Sequence, residues 1–264
     1  MSKITFLGFG NIAQAMVHGL QRHGHNKYEF AAASPSLKHD SQGVITYTNN
    51  KQAVQDANII ILAVKPTKVV EVLTEVKQDL PVHSILLSVA AGVTLTKLAK
   101  LTSSEQVIVR AMPNIAIAVG EGATVLCANH NLAGTQRAAI EQIFCDLGIL
   151  TWVSDDGDLD LFTAFSGSGP AYIFFFLEAL MAAAISIGVE AQLAQRFTVQ
   201  IMKGALQLAI ESGKPLAALR KQVSSPRGTT VAAINVLAQH GFNELMQQAI
   251  KEAYNHAIKL GDLK

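Results

Sequence analysis

The sequence predicts an α/β chain in two parts: a doubly wound domain built on a mostly parallel sheet, then an all-helical domain. Three observations predict it. Strand-like and helical patterns alternate from the amino terminus to about residue 154. Strand signals then stop, and helical stretches fill the rest of the chain. Between the first strand-like run and the first helical one lies Gly8-Phe9-Gly10-Asn11-Ile12-Ala13. This is the junction at which a doubly wound sheet receives a dinucleotide. The boundaries read from the pattern are 1–154 for a Rossmann-like dinucleotide-binding domain and 155–264 for the helical domain.

In order, β-rich runs fall at 4–7, 29–33, 59–64, 85–89, 107–111, 124–126 and 151–153. Helical patterns occupy 12–23, 67–77, 95–101 and 133–147. The run Ile59-Ile60-Ile61-Leu62-Ala63-Val64 is apolar throughout, as a central parallel strand covered on both faces must be. Beyond residue 154 the helical stretches are 159–165, 171–187, 191–212, 215–223, 229–239 and 243–260. They are punctuated by Gly167-Ser168-Gly169-Pro170, Gly188, Gly213-Lys214-Pro215 and Gly241.

Composition excludes several classes. The chain has 21 basic and 20 acidic residues, a net charge of +1. It shows no basic run beside a base-stacking motif, so nucleic acid is not an expected partner. Cys127 and Cys145 are too far apart for a CxxC pair and read as two buried thiols of a reducing compartment. The start, Met1-Ser2-Lys3-Ile4-Thr5-Phe6, runs into a strand without a secretory pattern, which places the protein in the cytoplasm. His18, His23, His25, His39, His83, His130, His240 and His256 have no metal-ligand spacing, so no metal is expected. Residues 171–189 are apolar enough to span a bilayer. Glu178 sits mid-stretch and no Lys/Arg cluster flanks it, so the reading is a helix buried within the protein or between subunits rather than in a membrane. The helical domain is too short to cover such a helix alone, and a homodimer or larger assembly follows.

Two regions carry candidate chemistry. Gly8 and Gly10 permit a tight turn and close approach to a pyrophosphate, and Ala13 lets the helix pack on its strand. After the second strand the chain reads Ala33-Ser34-Pro35-Ser36-Leu37-Lys38, with no carboxylate before Asp40. Hydroxyls and a lysine suit a 2′-phosphate, favouring NADPH over NADH; the other reading is a solvated turn. Ala63-Val64-Lys65-Pro66 and Ser88-Val89-Ala90-Ala91-Gly92 end two further strands, on the edge where open α/β sheets bind ligands. Lys65 either reaches the cofactor or is a solvated loop residue. Far downstream, Val223-Ser224-Ser225-Pro226-Arg227-Gly228-Thr229-Thr230 leads into a helix, whose unpaired N–H groups and partial positive charge suit a carboxylate or phosphate.

These motifs carry a resemblance. Gly8-Phe9-Gly10, Ala63-Val64-Lys65-Pro66, Ala90-Ala91-Gly92-Val93, Arg110-Ala111-Met112-Pro113-Asn114, Ser166-Gly167-Ser168-Gly169-Pro170-Ala171-Tyr172 and Ser225-Pro226-Arg227-Gly228-Thr229-Thr230 occur in this order. Together they resemble the pyrroline-5-carboxylate reductase family over nearly the whole chain. The resemblance implies reduction of L-1-pyrroline-5-carboxylate to L-proline with NADPH or NADH, on a Rossmann domain joined to a helical dimerisation domain. It implies dimers that assemble into rings, with an active site between the cofactor of one subunit and helical residues contributed across the dimer. It assigns Leu7, Gly8, Phe9, Gly10, Asn11, Ile12, Ser34, Asn50, Ala63, Val64, Lys65, Pro66 and Ala91 to the cofactor. It assigns Ser225, Gly228, Thr229 and Thr230 to the substrate.

Thr230 is the first catalytic candidate, with its hydroxyl on the substrate ring nitrogen; the alternative is a threonine that only caps its helix. Asp156 has the same double reading, ring-nitrogen partner or helix-start acid. Ser166 to Pro170 reads as an active-site loop or as a close-packed helix junction. Departures from the family pattern are Ile115-Ala116 where Thr-Pro is usual, Arg227 where a glycine is usual, and the basic Arg220-Lys221 where an acid is usual. They motivate two alternatives: a nucleotide-binding dimer without catalysis, acting as redox sensor or scaffold, and a reductase of another cyclic imine.

Overall fold

The computed structural model describes residues 2–22, 27–34, 37 and 43–262. Pro35, Ser36, Lys38 and Asp40, on which part of the cofactor preference was read, lie outside the described residues. The chain divides into two compact units, Met1–Pro170 with Glu252–Lys264, and Ala171–Lys251. The change from strand to helix does fall between Trp152 and Asp158. The packing division lies further on, because the first helical turns after the sheet stay bound to it.

The first unit holds an eight-stranded sheet ordered β3-β2-β1-β4-β5-β6-β7-β8. The strands are β1 (Ser2–Leu7), β2 (Tyr28–Ala33), β3 (Val44–Tyr47), β4 (Ile59–Leu62), β5 (Ile85–Ser88), β6 (Val107–Met112), β7 (Gly122–Ala128) and β8 (Gly148–Trp152). All neighbours are parallel except β6 and β7. The order 3-2-1-4-5-6 is that of the doubly wound dinucleotide fold.

Helices α1 (Asn11–Arg22) and α5 (Gly134–Cys145) contribute to the core on one face of this sheet. On the other face lie α2 (Asn50–Val54), α3 (Val69–Val76) and α4 (Leu95–Leu101). The uniformly apolar β4 follows from that double cover. Ile59 and Ile61 enter one core, and Ile60 and Leu62 enter the other, as a period of two requires.

Two elements escaped the sequence reading: β3 and α2. The stretch 67–77 also begins differently, with a 3-10 turn at Pro66–Lys68 before α3. Proline supplies no N–H and has a fixed φ, which suits the first turn of a helix. Residues 115–119 form a second 3-10 turn, Ile115–Val119, capped by the Asn114 side chain on the Ala116 N–H. Cys127 is buried, as read, but Cys145 is exposed, because it closes α5 at its outer end.

After β8 come α6 (Asp158–Phe162) and a π-helical turn, Thr163–Gly167. The second unit comprises most of α7 (Gly169–Ser186), then α8 (Ala191–Ser212), α9 (Leu216–Gln222), α10 (Thr229–Gln239) and the first half of α11 (Phe242–Asp262). Glu190 caps α8 by accepting the Gln192 and Leu193 N–H groups. Large apolar side chains of this unit are exposed in a single copy, among them Phe175 at 74% and Phe197 at 62%. Of the two places read for α7, the interior of one chain is excluded, since none of the apolar window in Asp158–Ser186 is covered in a single copy. By length and hydropathy this is the one helix among the described residues that could cross a membrane.

Candidate active site

The first set of candidates gathers at the carboxyl ends of β1, β2, β4 and β5. Leu7 pairs in register with Ala33 on one side and Leu62 on the other. The Gly8 N–H continues the ladder to the Ala33 carbonyl at 2.8 Å, and the Ala63 N–H donates to the Leu7 carbonyl at 2.8 Å. Ser34, Ala63, Val64 and Ala91 therefore lie at adjacent strand ends, around the turn that opens α1. Gly8 has φ +86°, and a Cβ there would stand 2.7 Å from Val64 Cγ1 and 2.8 Å from the Ala63 carbonyl oxygen. Its lack of a side chain lets the turn close against the end of β4. Gly10 differs: a Cβ on it would meet nothing within 4 Å.

That open space lies just before the first turn of α1, whose leading N–H groups have no intrahelical acceptor. A pyrophosphate fits this cradle, held by backbone donors and the helix end. Phe9 is buried in the core, edge-on to Phe6 at 5.9 Å between ring centroids, so its side chain packs and its backbone faces the turn. Gln14 braces the turn by donating to the Phe9 carbonyl at 3.1 Å. Asn11 is exposed and Ile12 half-buried. Lys65 is exposed at the entry to the Pro66 turn. Asn50 opens α2, and its amide donates to Glu75 at 2.8 Å, so this side chain is engaged within the fold.

The second set lies in the second unit. Ser225-Pro226-Arg227-Gly228 is a β-turn closed by the Gly228 N–H on the Ser225 carbonyl at 3.0 Å. Proline at its second position and φ +60° at Arg227 give it the signs of a type II turn. A Cβ on Gly228 would stand 2.6 Å from Ser225 Oγ, so the glycine lets that hydroxyl fold over the start of α10. Gly228 itself is the N-cap, with no side chain to satisfy the leading N–H groups. Thr229 and Thr230 occupy the first helical positions, and neither hydroxyl has a hydrogen-bond partner among the described residues. The capping reading of Thr230 is therefore not what the structure holds.

Asp156 is committed elsewhere. Its carboxylate accepts from Arg110 Nη1 at 2.5 Å and from the Leu95 N–H at 2.7 Å. It ties β6 and α4 to the start of α6, and sequence reasoning missed this pair. The signal was a lone arginine inside an otherwise apolar strand, which needs a counter-ion when buried. The Ser166-Gly167-Ser168 segment is a packed junction. Asn114 donates to the Ser166 carbonyl at 3.3 Å, and a Cβ on Gly167 would stand 3.4 Å from Met112 Sδ. Burial pushes the Cys127 thiol upward, with the charge of Asp156 adding to it, so it holds its proton more tightly than a free cysteine. Among the described residues no cluster of His, Cys, Asp and Glu could hold a metal ion.

The strand order and the glycine turn define a doubly wound dinucleotide-binding protein with a helical second part. Residues 3–92 match the family model described as NADP oxidoreductase, coenzyme F420-dependent, and residues 156–260 match the model of pyrroline-5-carboxylate reductase dimerisation. Pyrroline-5-carboxylate reductase of Pseudomonas aeruginosa is 32% identical over 98% of this chain and 97% of its own length. That of Escherichia coli is 33% identical over 98% of both. Among solved structures, the Plasmodium falciparum pyrroline carboxylate reductase with NADP bound superposes with a TM-score of 0.91 at 29% identity, covering 98% of each chain. The Coxiella burnetii enzyme gives 0.88 at 37% identity over 98% of each. The chain belongs to the pyrroline-5-carboxylate reductase family.

Proposed function

We propose that this chain reduces L-1-pyrroline-5-carboxylate to L-proline with NADPH, the closing step of proline synthesis. One observation carries the reading within the chain. An open glycine cradle at the sheet's ligand edge coexists with an uncapped helix start that carries two unpartnered threonine hydroxyls. The full-length kinship to reductases of this name supports it.

The Gly8 to Ile12 turn, Ser34, Ala63 to Pro66 and Ala91 hold the cofactor, which supplies the hydride when bound. Asn50 contributes to that side through backbone and position, since its amide is taken by Glu75. The N–H groups of Thr229 and Thr230, with the Ser225 hydroxyl, receive the substrate carboxylate, and Gly228, whose own N–H closes the turn, gives it room to approach. The Thr230 hydroxyl meets the ring nitrogen and orients the imine. The substrate reacts as the protonated imine: as hydride reaches its carbon, the π pair of the C=N bond moves to nitrogen and quenches the positive charge there. The amine then takes a proton from water. The protein's share is positioning, which supplies several kcal/mol of the barrier.

We further propose that two copies pair through the exposed apolar faces of the second unit, that pairs build rings, and that the protein works in the cytoplasm. We keep the functional boundary between residues 154 and 155; a dimerisation match over residues 156–260 supports it. The test is NADPH oxidation at 340 nm with and without pyrroline-5-carboxylate. Substrate-dependent loss of absorbance supports the reading. Its absence, from folded protein that binds NADPH, would leave the non-catalytic dimer.

A further inference from the structure

Arg227 occupies the third position of the Ser225–Gly228 turn with φ +60°. A type II turn asks for glycine or asparagine there, because a Cβ in the left-handed region crowds the following carbonyl. Arginine is neither, and the fold gives it no compensation. The residue is exposed, and among the described residues its guanidinium makes no hydrogen bond or ion pair. Strain kept without an internal contact points outward, to a ligand. The sequence on either side of it carries one sign of charge. Between Glu211 and Glu244 there is no acidic residue, while Lys214, Arg220, Lys221 and Arg227 are all basic. The turn places Arg227 directly before Gly228 and the two free threonine hydroxyls.

We propose that Arg227 is a specificity-determining residue of the imine site: its guanidinium pairs with the substrate carboxylate and selects cyclic imines that carry one. This rests on the reductase reading above. The backbone N–H groups alone would hold any small anion. A guanidinium adds a charge-assisted contact that a neutral imine cannot use.

The test compares wild type, Arg227→Gly and Arg227→Lys, all as full chains, on pyrroline-5-carboxylate and on 1-pyrroline, the same ring without its carboxylate. Arg227→Gly should raise KM for pyrroline-5-carboxylate about tenfold, the size of one partly exposed charge-assisted hydrogen bond. It should leave kcat, the KM for 1-pyrroline, NADPH affinity and the oligomeric state unchanged. Arg227→Lys should recover part of the loss. Melting should be no lower in Arg227→Gly, since glycine fits the turn. An unchanged KM for pyrroline-5-carboxylate, an equal rise for both imines, or a changed oligomeric state would overturn the proposal. If wild type reduces neither imine, the reductase reading fails. Calorimetric binding of L-proline then decides Arg227 separately: weakening of about tenfold in Arg227→Gly supports the pairing, and equal affinity refutes it.

Discussion

Arg110 and Asp156 form a buried clasp between the sheet and the first helical turns that follow it. Arg110 is almost wholly buried and its Nη1 donates to Asp156 Oδ1, while Asp156 Oδ2 accepts the Leu95 N–H. Removing one partner of such a pair strands the other charge in a low-dielectric interior. Asp156→Ala should therefore destabilise the chain by about 3 kcal/mol, read by urea unfolding. The double change Arg110→Met with Asp156→Leu should recover most of that loss, because no charge is then left unpaired.

Asp160 is the weak point beside this clasp. One of its carboxylate oxygens is buried without a hydrogen-bond partner, as is Arg110 Nη2. Burial raises its pKa, the charge of Asp156 adds to the rise, and Arg110 partly offsets it. The folded chain thus holds this proton more tightly than the unfolded one. The contribution favours folding at low pH and is lost as pH climbs from the ordinary carboxylate range through the raised value. Asp160→Asn should flatten that decline in urea titrations from acid to neutral pH.

Glu190 behaves oppositely. The Gln192 and Leu193 N–H groups lower its pKa. Its stabilisation is present above the usual carboxylate range and is lost as pH falls through the lowered value. Glu190→Gln should remove that acid-side loss from thermal melts.

The two leading glycines should separate folding from cofactor binding. Gly8→Ala drives a Cβ against Val64 and Ala63 in a left-handed conformation, and should lower stability by about 2 kcal/mol. Gly10→Ala meets open space. It should melt like wild type yet bind NADPH at least tenfold more weakly, because the methyl fills the phosphate's approach. Thermal melts and NADPH fluorescence titrations on both variants check the contrast.

Helices that stand as isolated periodic stretches between clear breakers were legible to the residue: 95–101, 191–212 and 229–239. The mostly parallel sheet with helices on both faces followed from alternation; the order of its strands did not. β3 escaped because Val44-Ile45-Thr46-Tyr47 is a four-residue edge strand just after a polar stretch. Its β-branched run was the available signal. α2 is too short to show helical periodicity. The glycine turn and the Ser225–Thr230 turn could be read locally, since each is one contiguous segment. The Arg110–Asp156 clasp could not, because its partners lie 46 residues apart and nothing local pairs them. The engagement of Asn50 by Glu75 was hidden for the same reason.

Thr230 carries the most specific chemical assignment. Thr230→Val keeps the shape and removes the hydroxyl. Turnover should fall about tenfold or more, the cost of one hydrogen bond to a developing amine. NADPH affinity and melting should stay at wild-type values. Parallel loss of all three would show a packing role instead.

The most direct measurement follows the transferred atom. NADPH carrying deuterium on the reactive face of its C4 is incubated with the full-length protein and pyrroline-5-carboxylate, and the product is examined by mass spectrometry and NMR. The account predicts L-proline with one deuterium on the ring carbon that is bonded to nitrogen and remote from the carboxylate. Unlabelled proline, or none at all from folded protein that binds NADPH, would contradict it.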